Sequence, residues 1–470
     1  MFKNLKTFFG AQDLTKGSPM VNLLKFSVPL LIGNVAQQLY STVDSIVVGK
    51  YVGDTALAAI GAVMPIINLL LVLFMAVATG AGILVSQYFG ARDWQHLDRT
   101  IGNALLLIGL SSVLMTAAAL ILARPILVLL DTPPEIFDTS LAYLQIIFIG
   151  CISFGLYNII ASIMRGLGDS ITPLIFLLIT TALNTVLDIW FVAGLGWGVT
   201  GAAVATVLSQ TVAAALCVWH LLRIKDIVTI GWHSLKPDSG LIRKLLRIGM
   251  PAGLTQAIFS MAMVVVQALT NSMGYQVITT TMAVMRVDGF AMMPNFTFGM
   301  AIMTYVGQNI GARRMDRVDQ GTREAVKLSV GLSTFLTVLL LLFGSSLIKL
   351  FTDTPEIVAL GERQIRILAA GYIAMSITQV FGGIMRGAGD TMPSMWISMF
   401  TTVAFRVPVA YLLAFLTRSP KWPNGSPDAL FFSLLISWVL GAILTYGWYR
   451  RGTWRRKRVI ETVPAAETAG

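Results

Sequence analysis

Long apolar runs alternate with short polar connections along the whole chain, and the runs have the length of a bilayer crossing. They recur near 22–48, 57–85, 101–122, 141–161, 174–191 and 199–222. A helix of about 20 such residues spans a hydrocarbon core of about 30 Å. A polar connector, 223–247, follows and ends in Leu241-Ile242-Arg243-Lys244-Leu245-Leu246-Arg247. That basic amphipathic stretch suits a membrane surface. The pattern then begins again near 254–273, 280–305, 325–348, 365–384, 394–416 and 430–449. Twelve transmembrane helices are predicted, and the class is an all-α integral membrane protein.

The two sets of six are copies. Gly90-Ala91-Arg92 recurs as Gly311-Ala312-Arg313, and Ile163-Met164-Arg165-Gly166 with Gly168-Asp169 recurs as Ile384-Met385-Arg386-Gly387 with Gly389-Asp390. Asp131-Thr132-Pro133 answers Asp353-Thr354-Pro355. The pairs lie about 221 residues apart, which marks an internal duplication. Six spans is an even number, so both halves enter the membrane from one side, related by an axis along its normal. Two pseudo-symmetric six-helix lobes are expected at 22–222 and 250–450. A segment 1–21 precedes them, a connector 223–249 joins them and a basic tail 451–470 closes the chain.

Composition sharpens this reading. Hydrophobic residues make up 56% of the chain and charged ones 12%, against about 25% charged in soluble domains. The net charge of +11 resides in connections and tails, which excludes a nucleic-acid-binding face and fits the positive-inside bias. Lys3, Lys6, Lys16 and Lys25, Arg92, Arg99, Arg165, Arg313, Arg314, Arg317, Arg386 and the cluster at 450–458 all fall on one side. Both termini are therefore expected to be cytoplasmic. Residues 1–18 lack the apolar core of a secretory signal. Cys151 and Cys217 lie in apolar segments without metal or redox spacing. His96, His220 and His233 form no metal-ligand motif, and neither a phosphate loop nor a nucleophile elbow is present, so nothing points to an enzyme.

The candidate chemistry lies in polar groups at membrane depth, where a charge costs a few kcal/mol and normally faces a partner or a wet cavity. Thr181, Asn184 and Asp188 share one stripe of the fifth span, while Gln37, Tyr40 and Asp44 share one of the first. Thr206 and Gln210 share a face of the sixth. Such oxygens suit a small hard cation, Na⁺ among them, or two crowded carboxylates that hold a proton. In the second half Arg286, Asp288 and Arg406 sit near mid-span. Arg286 and Asp288, two apart, do not face each other, so Asp288 is expected to pair with Arg406 as a structural link. Methionines gather in the same half, among them Met261, Met263, Met282, Met285, Met292 and Met293. They suit either ordinary packing or a pliable apolar surface.

These motifs resemble the multidrug and toxic compound extrusion (MATE) transporters across nearly the whole chain. The likeness rests on Val43-Asp44, on Gln87-Tyr88-Phe89-Gly90-Ala91 and its echo Gly307-Gln308-Asn309-Ile310-Gly311-Ala312, on Met164–Asp169 and its echo at 385–390, and on Asn184, Asp188 and Thr206. The resemblance implies two lobes around a central cavity. It also implies export of amphipathic, often cationic drugs in exchange for H⁺ or Na⁺, with no other cofactor. It assigns the coupling site to Asp44, Asn184, Asp188 and Thr206, and the substrate cavity to Gln37 and Asn158, which Tyr40, Thr181 and Gln210 would extend. Neither 254–273 nor 365–384 holds an Asp or Glu, a departure similar to the DinF-like branch that leaves coupling to the first lobe. The expected setting is a monomer in a bacterial cytoplasmic membrane, with bilayer lipid and small drugs as partners. A flippase for a lipid-linked substrate is the alternative, kept open by Arg286 and Arg406.

Overall fold

A computed structural model describes residues 10–129, 132–225, 227–352, 354–457 and 459–460, with backbone alone at 40–49, 54, 55, 57, 58, 65, 69 and 70. The side chains of Tyr40 and Asp44 lie outside the described residues, as do Asp131 and Asp353 of the repeat motif.

The first half holds α1 (Pro19–Tyr51), α2 (Asp54–Ala91), α3 (Trp94–Leu129), α4 (Pro134–Ile149 continued by Cys151–Gly166), α5 (Ile171–Asp188, extended by a π-helical turn Ile189–Gly194) and α6 (Gly198–Arg223). The second holds α7 (Ser239–Ser272), α8 (Tyr275–Gly311), α9 (Met315–Lys349), α10 (Pro355–Gly387), α11 (Met392–Met399, a π segment Phe400–Arg406, then Val407–Leu416) and α12 (Asp428–Arg451). Ten of these are long and apolar enough to cross a bilayer, and α4, bent by 48°, makes eleven. The bend falls at Gly150, where a Cβ would meet Val207 of α6 at 2.6 Å. The remaining helix, α8, is 37 residues long, but Arg286, Asp288, Asn295 and a run of threonines interrupt its apolar face.

The amphipathic stretch 241–247 is not a separate surface segment. It forms the first turns of α7, which Asp238 starts by accepting hydrogen bonds from the Gly240 and Leu241 backbone N–H groups.

Each lobe has a buried apolar cluster, and a third joins them at the end of the bundle that holds Leu14 and Trp454. The first helix of each half begins against the other half. Leu23 and Phe26 of α1 pack with Ile302, Tyr305 and Val306 of α8, while Leu245 and Ile248 of α7 join the first-lobe cluster. Glycines permit this approach, as is usual between membrane helices. A Cβ on Gly249 would lie 1.9 Å from the Ala76 carbonyl of α2, and one on Gly80 would lie 2.3 Å from the Leu245 carbonyl.

The duplication is visible atom by atom. The Gln87 amide donates to the Gly387 carbonyl at 2.8 Å, and Gln308 donates to the Gly166 carbonyl at 3.0 Å. A Cβ on Gly90 would strike the Gln308 carbonyl, and one on Gly311 the Gln87 carbonyl, each at 1.9 Å. Arg92 and Arg313 end α2 and α8 in the same left-handed conformation, φ 56° and 57°.

A strap formed by residues 11–18 crosses this terminal face. The Gln12 N–H donates to Leu167 of the first lobe, and the Leu14 N–H donates to Gln308 of the second at 2.9 Å. Burial acts to raise the Asp13 carboxyl pKa, but hydrogen bonds from Thr15 and the charges of Arg92 and Lys16 outweigh it and hold the group below its ordinary value.

Candidate functional site

The site is built from the start of α5. Asp169 precedes the helix, and its Oδ1 accepts hydrogen bonds from the Ile171 and Thr172 N–H groups at 3.2 and 3.0 Å. Its Oδ2 accepts one from the Thr172 hydroxyl at 2.6 Å. This cap anchors a helix whose later turns carry Asn184 and Asp188 on one face, 1% and 0% exposed. The α-helical pattern ends at Asp188 and widens into the π turn. Such turns are frequent at functional sites because they break the regular hydrogen-bond ladder.

Around this face α5 packs against α1 on one side and α6 on the other. Thr181, Thr206 and Gln210 are half-buried. Among the described residues, buried atoms without a hydrogen-bond partner include Thr181 Oγ1, Asn184 Nδ2, Ser209 Oγ and Gln210 Oε1. Buried polar atoms are normally paired, so orphans on two helices that pack together leave donors and acceptors for a further group. Ser209 was absent from the sequence-based set. Its spacing of three from Thr206 was the available signal, but a serine in an alanine-rich run does not stand out.

The other sequence-predicted residues divide. Gln37 is exposed on α1, the helix that packs on α5. Asn158 is half-buried, and its amide donates to the Phe154 carbonyl of its own helix at 2.9 Å, leaving its oxygen for other contacts. Arg286 is exposed.

Asp288 and Arg406 line one small cavity of about 40 Å³ with Met263 and Met285. Among the described residues, no ion-pair contact within 4 Å joins them, so the expected direct pair is not formed. The Arg406 Nη1 instead approaches the Met263 sulfur at 3.9 Å. The π segment Phe400–Arg406 is the physical reason, because it alters the side-chain register of α11 just where Arg406 emerges.

Comparison with known proteins places the whole chain. The MatE family model matches residues 29–190 and again 251–412, one match per half. The chain is 29% identical to the probable multidrug resistance protein YpnP of Bacillus subtilis, over 96% of this chain and 99% of the relative. It is 26% identical to the probable multidrug resistance protein NorM of Thermotoga maritima, over 93% and 95%. Among solved structures, an outward-facing multidrug resistance MATE transporter of the MOP superfamily superposes with a TM-score of 0.87 at 24% identity, covering 95% of this chain and 98% of that one. A MOP-superfamily transporter of Pyrococcus furiosus, described as having a binding pocket of reversed polarity, superposes with a TM-score of 0.87 at 22% identity and the same coverage.

Proposed function

Because the chain belongs to the MatE family of multidrug efflux transporters, we propose that it exports amphipathic, often cationic compounds from a bacterial cell in exchange for H⁺ or Na⁺, by alternating access between its lobes. The observation that carries this reading is the Asn184–Asp188 face of α5, wholly buried in the first lobe among unsatisfied oxygen and nitrogen atoms. A carboxylate at that depth responds to a single positive charge, whether proton or metal ion.

The terminal face carries the excess of arginine and lysine, so it lies on the cytoplasmic side. The lobes are closed there by the Gln87 and Gln308 bonds and the strap. This arrangement corresponds to the state open to the outside. In that state H⁺ or Na⁺ binds among Asp44, Asn184, Asp188 and Thr206. Neutralising the carboxylates weakens their attraction for a cationic drug held by Gln37, Tyr40, Asn158, Thr181 and Gln210, and the drug leaves outward. The ion drives the change only through its different affinity for the two states. The named relatives are described as probable multidrug resistance proteins, which does not favour the flippase reading.

In cells, Asp188→Asn is expected to abolish resistance to ethidium while leaving the amount of protein in the membrane unchanged. Resistance retained at wild-type level would show that no essential charge resides at 188.

A further inference from the structure

The second lobe holds a cavity of about 270 Å³ between α7, α10, α11 and α12. Arg386, from the end of α10, and Arg406, from α11, both reach its wall, and no carboxylate does among the described residues. Arg406 is only 4% exposed, and its Nε has no hydrogen-bond partner among the described residues. Its Nη1 meets a methionine sulfur, a weak acceptor. The Ser394 hydroxyl on the same wall also lacks a partner. Asp288 lines the small cavity beside it together with Arg406. A buried guanidinium whose Nε lacks a partner among the described residues has a donor left to offer a ligand.

The backbone is arranged around this charge. The π segment that ends at Arg406 passes along the cavity, and the Ser437 hydroxyl of α12 donates to the Thr401 carbonyl within it at 2.9 Å. Hydroxyls from Ser398 and Thr402 line the polar side. Phe259 and Phe296, 43% and 47% exposed, form an apolar mouth, with Trp438 further along the wall. A guanidinium fork matches a carboxylate in shape and charge, and aromatic walls match a flat ring. The volume suits a one-ring molecule rather than a large drug.

We propose that this second-lobe cavity binds an aromatic carboxylate, with the carboxylate at the Arg406–Arg386 wall and the ring toward Phe259, Phe296 and Trp438. The site is separate from the first-lobe cation site and stands whichever ion drives transport.

The test is calorimetric titration of the purified full-length protein with benzoate, benzamide and inorganic phosphate, with thermal unfolding measured alongside. Benzoate is expected to bind and to raise the unfolding temperature in proportion to the logarithm of its concentration. Benzamide, isosteric but uncharged, should bind at least tenfold more weakly, and phosphate should not compete. Arg406→Met should weaken benzoate at least tenfold, and Arg406→Lys by less. If Arg406→Met does not fold, Arg386→Met and the wild-type ratio of benzoate to benzamide decide the matter. Equal binding of benzoate and benzamide, displacement of benzoate by phosphate, unchanged affinity in a folded arginine-to-methionine variant, or no binding at about 10 mM would each overturn the proposal.

Discussion

Asp169 and Asp188 bound the same helix and do opposite things with their charge. Asp169 spends its oxygens on the N–H groups that open α5, whereas Asp188 ends the regular helix fully buried beside orphaned polar atoms. Asp169→Ala removes three accepted hydrogen bonds and is expected to destabilise the protein by about 1 kcal/mol, the usual cost of a lost cap. Thermal unfolding checks this, and an unchanged transition would mean that the cap does not hold α5. A Gly-x-Gly-Asp turn before an apolar run reads as a cap, and a lone carboxylate inside such a run reads as functional. The aim of Arg406 was not legible. The pairing with Asp288 follows only from the elimination of Arg286, which does not fix where Arg406 points, and no residue pattern in 400–406 announces the π segment that carries it.

The helices themselves follow from hydrophobic length, and all twelve lie where the apolar runs placed them. Their ends and bends depend on contacts that length does not encode. The 241–247 stretch reads as a surface segment because it is amphipathic, yet its apolar side packs on the first lobe as the start of α7, with Leu245 fully buried. The glycines that allow this are equally silent in sequence. Gly249 and Gly109 both sit inside helices, but a Cβ on Gly249 meets backbone at 1.9 Å while one on Gly109 meets nothing. Gly249→Ala should therefore cost about 1–3 kcal/mol through overpacking between α2 and α7. Gly109→Ala should be neutral or stabilise by up to about 1 kcal/mol through helix propensity. Denaturation of the two variants side by side tests the contrast, and equal effects would contradict the α2–α7 contact.

At the scale of the molecule, the duplication supplies two lobes, and the terminal face shows how they are held. The same glutamine in each half reaches the same glycine carbonyl of the other half, and the first helix of each half begins against its neighbour. Two homologous halves were legible from repeats about 221 residues apart. The exchange of first helices was not, because a repeat reports which segments correspond and not which surface each one covers. Chemically the lobes have diverged. The first gathers Asn184 and Asp188, and the second sets Arg406 in its cavity wall, whereas Arg165 and Arg386 are counterparts in the repeat. Coupled export through the first lobe is the central claim, and ethidium efflux from proteoliposomes tests it most directly. Sodium and pH gradients are imposed separately on wild-type protein and Asp188→Asn. Efflux driven by one of the gradients in the wild type and lost in the variant is the predicted result. Efflux that ignores both gradients, or that survives undiminished in Asp188→Asn, would contradict it.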